Sequence, residues 1–231
     1  MKTHLSYIIA VGMFLMAVVT SCNKEKDDEK VMTMTTNASG VTINLAGTGS
    51  AIVNWGDGSE SDTLMLNATF RHIYSEKNTH TIRKYGDGIT GLDCSNIQLT
   101  NLDVSKNVVL TQLICRDNQL TVLDVSKNTS LELLGCSNNF LKKLDVRKNK
   151  VLVGLSCDKN QITSLDLSNN TVLWFAECQY NQFTDKALDA LFGTLHSNSI
   201  LGITKAIVIQ NNPGAATCNP SIAVDKGWTV Y

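Results

Sequence analysis

From residue 89 onward, apolar and polar positions recur with a fixed period. Cys94, Cys115, Cys136, Cys157 and Cys178 are each 21 residues apart, and Asp103, Asp124, Asp145 and Asp166 keep the same step. Two asparagine series follow it too: Asn107, Asn128, Asn149 and Asn170, and Asn118, Asn139, Asn160 and Asn181. One full unit reads Leu110-x-x-Leu113-x-Cys115-x-x-Asn118-x-Leu120-x-x-Leu123-Asp124-Val125-x-x-Asn128, and the next two begin at Leu131 and Leu152. An incomplete unit precedes them from Ile89, and a last one runs from Leu173 to Phe183. Self-similarity at this period signals an array of small coils, each burying its apolar edge against its neighbours. Within a unit, the Leu-x-Cys alternation predicts a short strand with two side chains directed inward and the intervening ones outward. Stacking the coils at about 4.8 Å then builds a parallel sheet along one side.

The polar columns have a physical reading of their own. An asparagine at a buried corner can bond backbone groups of its own coil and of the neighbouring one, where no ladder satisfies them. The cysteines occupy an inward position suited to leucine, and a free cysteine packs as a small hydrophobe. Neither a Cys-x-x-Cys nor a Cys/His cluster is present, so zinc ligation lacks its spacing. Parallel side chains in register are poorly aimed for a disulfide, so reduced core thiols are expected, with no metal and no cofactor. The aspartate column reads as turn residues accepting backbone amides two positions on. A calcium ladder is the competing reading, although the glycine-rich pattern of such repeats is missing.

This repeat resembles the leucine-rich-repeat family in a 21-residue variant, over residues 89–183. The resemblance implies a mainly β fold: a right-handed leucine-rich-repeat solenoid with a parallel sheet, a small N-terminal β-sandwich cap and an α/β C-terminal cap. Residues 31–88 read as short strands, near 31–35, 41–45, 51–55, 70–74 and 79–85, with glycine-rich breaks. Trp55-Gly56-Asp57-Gly58 followed by His72-Ile73-Tyr74 resembles the signatures of PKD-like β-sandwiches, although this segment is shorter than a typical one. Such a module would cover the open edge of the first coil. Residues 184–231 form the other flank. Thr184 is an N-cap candidate there, with an apolar stripe of Ala187, Leu188, Leu191, Phe192 and Leu195 behind it. A strand over 206–209 and a turn at Asn211-Asn212-Pro213-Gly214 follow, and the ending at Trp228 resembles the C-terminal cap of related Bacteroidetes repeat proteins.

The first residues speak to compartment. Lys2 precedes an apolar run over 5–19, and Val19-Thr20-Ser21-Cys22 follows. A short apolar stretch with a small-residue cleavage site reads as a secretory signal. It resembles the lipobox of bacterial lipoproteins, in which the cysteine, here Cys22, is acylated and becomes the mature N-terminus. Residues 23–30 are all polar and mostly charged, a solvated tether. The stretch also resembles the acidic segment that sends Bacteroidetes lipoproteins to the outer face of the outer membrane. The resemblance therefore implies a lipid anchor at the outer membrane, facing the cell exterior.

Composition narrows the function. Lys and Arg number 20 against 21 Asp and Glu, a formal charge of -1 over 231 residues. That balance argues against nucleic acid as a partner. Beyond His4 in the signal, the histidines are His72, His80 and His196, scattered over the flanks with no catalytic motif, so no enzyme is expected. Strand alternation places Gly91, Asp93 and Ser95, Gln112, Ile114 and Arg116, Leu133, Gly135 and Ser137, Gly154, Ser156 and Asp158, and Phe175, Glu177 and Gln179 outward. Aromatic residues and arginine are the types that dominate binding energies. The candidate binding surface is thus Gln112, Ile114, Arg116, Leu133, Asp158, Phe175, Glu177, Gln179 and Tyr180. A protein ligand is the first expectation, and a polysaccharide held on Phe175, Tyr180 and Trp174 is the alternative.

Overall fold

The computed structural model describes residues 31–199 and 202–231. The expected signal segment, Cys22 and the charged tether lie outside the described residues. Each 21-residue unit contributes one three-residue strand with an apolar centre: β9 (Gln112–Ile114), β10 (Leu133–Gly135), β11 (Gly154–Ser156) and β12 (Phe175–Glu177). These pair in parallel and in register, so residues one period apart lie side by side. Preceding them is β7 (Ile89–Asp93), parallel to β9. The repeat signature ends at Phe183 but the sheet does not. Helix α1 (Asp185–Thr194) is inserted first, and then β13 (Lys205–Val208) and β14 (Trp228–Val230) add two more parallel strands. A one-turn helix α2 (Ser221–Val224) lies between those two strands. The sequence shows no repeat here because the insertion changes the spacing. Asn212 takes the corner that Asn181 holds one coil earlier, 31 positions on instead of 21.

The corner asparagines behave as their chemistry predicts. The Asn139 amide nitrogen donates to the carbonyls of Cys115 (3.0 Å), Cys136 (3.1 Å) and Ser137 (3.2 Å), while its oxygen accepts from the Leu120 N–H at 2.9 Å. Asn118, Asn160, Asn181 and Asn212 repeat the arrangement. In the second series, Asn149 donates to the carbonyls of Val125 and Asn128, but its oxygen has no partner among the described residues. The aspartate column accepts amides two positions on: Ser105 at 2.9 Å, Ser126 at 2.8 Å, Arg147 at 3.0 Å and Ser168 at 2.9 Å. Inside, the five column cysteines are fully buried free thiols, with Cys157 and Cys178 Sγ 3.8 Å apart. Burial pushes Cys94 and Cys136 up to about 12, well beyond the range in which a thiolate forms.

The N-terminal residues form strands β1 (Met32–Thr36), β2 (Gly40–Gly47), β3 (Ser50–Asn54), β4 (Asp62–Met65), β5 (Ala68–Ile73) and β6 (His80–Tyr85). Five of these match the expected strands to within a few residues. β4 was not expected, because all four of its residues are exposed and it is held by backbone pairing with β3 and by the Trp55 indole donating to Asp62 at 2.8 Å, which leaves no apolar pattern to read. These strands lie in two sheets, and both run on into the first coil. β2 pairs antiparallel with β7, extending the parallel sheet to β5; β1 pairs antiparallel with β8 (Leu99–Asp103) in a sheet ordered β4-β3-β6-β1-β8. A single apolar cluster therefore extends from Met32 through Trp55 and Phe70 to Trp228.

Lys84 on β6 is fully buried in that cluster, and its amine nitrogen has no hydrogen-bond partner among the described residues. Burial lowers its pKa to about 7, with the Cys94 thiol its one electrostatic neighbour. The unfolded chain keeps an ordinary lysine and binds the proton that the folded chain releases, so between about pH 7 and pH 10 the contribution of Lys84 to stability rises with pH, while the buried thiols pull the other way once unfolded thiols ionise. Lys84→Met is expected to remove that contribution, so that the wild type gains about 1.4 kcal/mol per pH unit relative to the variant, and to raise stability at neutral pH. Urea melts at pH 7 and pH 9.5 measure both, and equal slopes in the two proteins would refute the assignment. Asn139→Ala is expected to cost about 1–3 kcal/mol by stranding buried backbone groups. Asn149→Ala should cost less, since fewer bonds are lost; the same melts rank the pair.

Candidate binding surface

The in-register ladder arranges outward side chains into rows that cross the coils. One row runs Ala46, Gly91, Gln112, Leu133, Gly154, Phe175 and Ala206. The next runs Asn44, Asp93, Ile114, Gly135, Ser156, Glu177 and Val208. One step beyond the strands lie Arg116, Ser137, Asp158 and Gln179, again a period apart. Gln112, Ile114, Arg116, Leu133, Asp158, Phe175, Glu177 and Gln179 therefore share one face. Tyr180 lies at its margin, half exposed, in the turn that follows β12.

Small residues decide how that face is shaped. Gly135 has no Cβ, and one placed there would come within 2.9 Å of Arg116 Nε. The Arg116 side chain occupies that space and its guanidinium donates to Ser156 Oγ at 3.3 Å, across an intervening coil. Ser156 in turn donates to Glu177 at 2.6 Å, and Ser137 donates to Asp158. The two hydroxyl protons are thereby committed to carboxylates, so Ser156 can only accept from Arg116. A Cβ on Gly154 would likewise meet Leu133 Cδ2 at 2.9 Å, so Leu133 leans over that glycine. The result is a hydrogen-bonded polar strip beside the aliphatic pair Ile114 and Leu133. Phe175 is half-buried against Trp174, ring centroids 5.8 Å apart and tilted by 37°.

Tyr180 stands in the left-handed backbone region with φ 56°, as do Asn96, Asp117, Asn138 and Lys159 at the same point of the other coils. Asparagine and aspartate tolerate that conformation, whereas tyrosine and lysine are unusual there. Reading the column as Asn-Asp-Asn would have located this turn in the sequence. The serines and glycines beneath Arg116 carry no such signal, because only their neighbours across the sheet give them a role.

The histidines form no catalytic relay. His72 Nε2 lies 2.7 Å from an Asp57 oxygen, and its ring stacks on Trp55 at 4.9 Å. Ser59 donates to the other Asp57 oxygen at 2.6 Å. These bonds from Ser59 and His72 hold the Asp57 carboxyl well below the usual carboxylate range. The carboxylate is in the middle, whereas a nucleophile relay needs the histidine there. His80 stacks on Tyr74, and His196 donates from Nε2 to the Leu173 carbonyl at 2.7 Å while Nδ1 accepts from the Asn198 N–H. Both are held by structure. Among the described residues no His, Cys, Asp and Glu group of three or more could hold a metal ion.

The fold is a mainly β solenoid of stacked 21-residue coils. No protein-family model matches the chain, and no curated protein matches it. Solved structures similar to it include the functional domain of InlJ from Listeria monocytogenes, described as including a cysteine ladder. That domain is 32% identical with a TM-score of 0.41, over 60% of this chain and 33% of the other. Another is the internalin InlF from Listeria monocytogenes strain 4b F2365, 16% identical with a TM-score of 0.39, over 53% of this chain and 42% of that one. The chain thus spans a third to two fifths of their lengths.

Gly135→Val is expected to push the Arg116 side chain off Ser156 while changing stability by no more than about 1 kcal/mol, since the site is on the outer face. The Arg116 Nε–H resonance reports the first effect and thermal denaturation the second. An unmoved resonance would show that the glycine does not shape the strip.

Proposed function

We propose that this chain is a lipid-anchored cell-surface protein that binds a protein partner on the outer face of its parallel sheet, and that it is not an enzyme. The supporting observation is the Arg116–Ser156–Glu177 strip lying beside Ile114 and Leu133. An arginine already oriented by its neighbours, next to exposed aliphatic surface (Leu133 is 39% exposed), has the make-up of an interface hot spot. The arrangement of Ser59, Asp57 and His72 supports the non-enzymatic reading, since no nucleophile is activated there. Anchoring through Cys22 at the outer membrane, facing the exterior, and the PKD-like character of the N-terminal module rest on sequence resemblance.

A polysaccharide ligand is the second reading. The observation favouring it is Tyr180, half exposed at the margin of the face. Against it, Trp174 and Phe175 are partly buried and tilted by 37° to each other, so the two rings do not form one flat platform.

The test is a binding screen of the chain carrying Cys22→Ser against host matrix proteins and polysaccharides. The expected result is saturable binding to a protein, weakened at least tenfold by Arg116→Ala and by Phe175→Ala. Binding only to a polysaccharide, lost in Tyr180→Ala, would replace this proposal with the second reading. Protein binding that survives both sheet substitutions would move the interface off this face.

A further inference from the structure

The outer face carries an open cavity beside the strip, at the junction where the N-terminal strands join the first coils. It measures about 370 Å³, towards the lower end of ligand-site volumes, which run roughly 300–1,000 Å³. Its lining includes small residues on three successive strands, Ala68 on β5, Ala46 on β2 and Gly91 on β7. Gly91 is there for close approach, since a Cβ on it would come within 2.9 Å of the Ala46 Cβ. Ile114 adds an aliphatic wall. Farther along the sheet, Arg116 and Leu133 fill the spaces over Gly135 and Gly154, but among the described residues no long side chain fills this one.

The polar lining has a definite character. Asp93 is the one charged side chain among the described residues that line the cavity. One of its oxygens accepts the Ser95 N–H at 3.0 Å, and the other takes no hydrogen bond among the described residues. Asn44 accepts from Thr69 through its oxygen at 2.6 Å, and no bond engages its amide nitrogen or either end of Gln112. The site thus offers a free carboxylate oxygen on Asp93, the amide oxygen of Gln112 as a second acceptor, and aliphatic surface leading in. A ligand matching all three has a hydrocarbon stem and a cationic, donor-rich head, which describes lysine and arginine side chains.

We propose that this cavity is the socket for a lysine or arginine side chain of the protein partner, with Asp93 as its counter-ion and Ala46 and Ile114 against its stem. This rests on the reading that a protein binds the outer face, which Gln112 and Ile114 share with the cavity. The socket can be tested without any partner. N-acetyl-lysine methylamide and N-acetyl-arginine methylamide, titrated into the Cys22→Ser chain, are expected to shift the Asn44 and Gln112 side-chain amide resonances saturably. N-acetyl-norleucine methylamide, which keeps the stem and lacks the charge, should bind at least tenfold more weakly. Asp93→Asn, which still accepts the Ser95 amide, should remove that difference, and Ala46→Leu should abolish binding by filling the cavity. Asp124→Asn, outside the cavity, should change nothing. Equal response to the norleucine analogue, indifference to Asp93→Asn, no saturable shift, or saturation by glucose in place of the cations would each overturn the socket. A socket that binds lysine while the protein panel stays silent would instead count against the partner reading alone.

Discussion

The stacking of identical coils leaves a corner in every turn where backbone amides and carbonyls have no ladder partner, and the rest of the molecule depends on how that corner is satisfied. From the second coil on, Asn118, Asn139, Asn160, Asn181 and Asn212 place an amide there, bonded at once to its own turn and to the coil before it. A buried polar group of this kind stabilises only when its partners are all present. That condition fixes the stacking register, because a one-residue slip would strand donors and acceptors in every coil together. The repeat strands β9 to β12 are three residues long and would be marginal alone. They persist because the corner bonds and the buried Leu-x-Cys column hold them in step.

A parallel stack has two ends, and each is finished differently. At the N-terminal end, β1 and β2 pair with the two strands of the first coil, so both of its edges are covered by antiparallel strands. The second half of that coil is a strand, and those of the later coils are turns, because only the first has β1 to pair with. At the C-terminal end, α1 lays Leu188, Leu191 and Phe192 over the last repeat. Lys205, nearly buried, donates to the carbonyls of His196, Asn198 and Lys226 and lies over the Trp228 ring. Trp228 also donates to the His196 carbonyl, so one cation and one indole tie the loop after α1 to the last two strands.

The functional face follows from the same register. Because residues one period apart are neighbours, a glycine in one coil makes room for a side chain from the coil before it. Arg116 and Leu133 use that room, and the junction cavity is the place where small residues coincide and no side chain fills the gap. Charge is distributed along the face accordingly: Arg116 stands among hydroxyls and carboxylates, while among the described residues Asp93 has no ion-pair partner.

By itself the sequence determined the coil. A period of 21 with inward Leu and Cys, corner Asn and turn Asp leaves one way to bury the apolar positions and satisfy the polar ones, so strands, facing and the outward set from Gln112 to Tyr180 were legible. The N-cap at Thr184 and the apolar stripe behind it were legible for the same local reason. Tertiary structure alone decided what depends on pairing between distant segments. No local pattern announces that β1 and β2 join the two sides of the first coil, that β4 exists, or that Asn212 continues the corner ladder beyond an inserted helix. Nor does any pattern announce that Lys84 is buried with no hydrogen-bond partner among the described residues, that Arg116 reaches Ser156 over Gly135, or that Asn44 and Asp93 line one cavity. Repetition writes short-range geometry into the sequence many times over, whereas each of these contacts occurs once and is specified only by the folded chain.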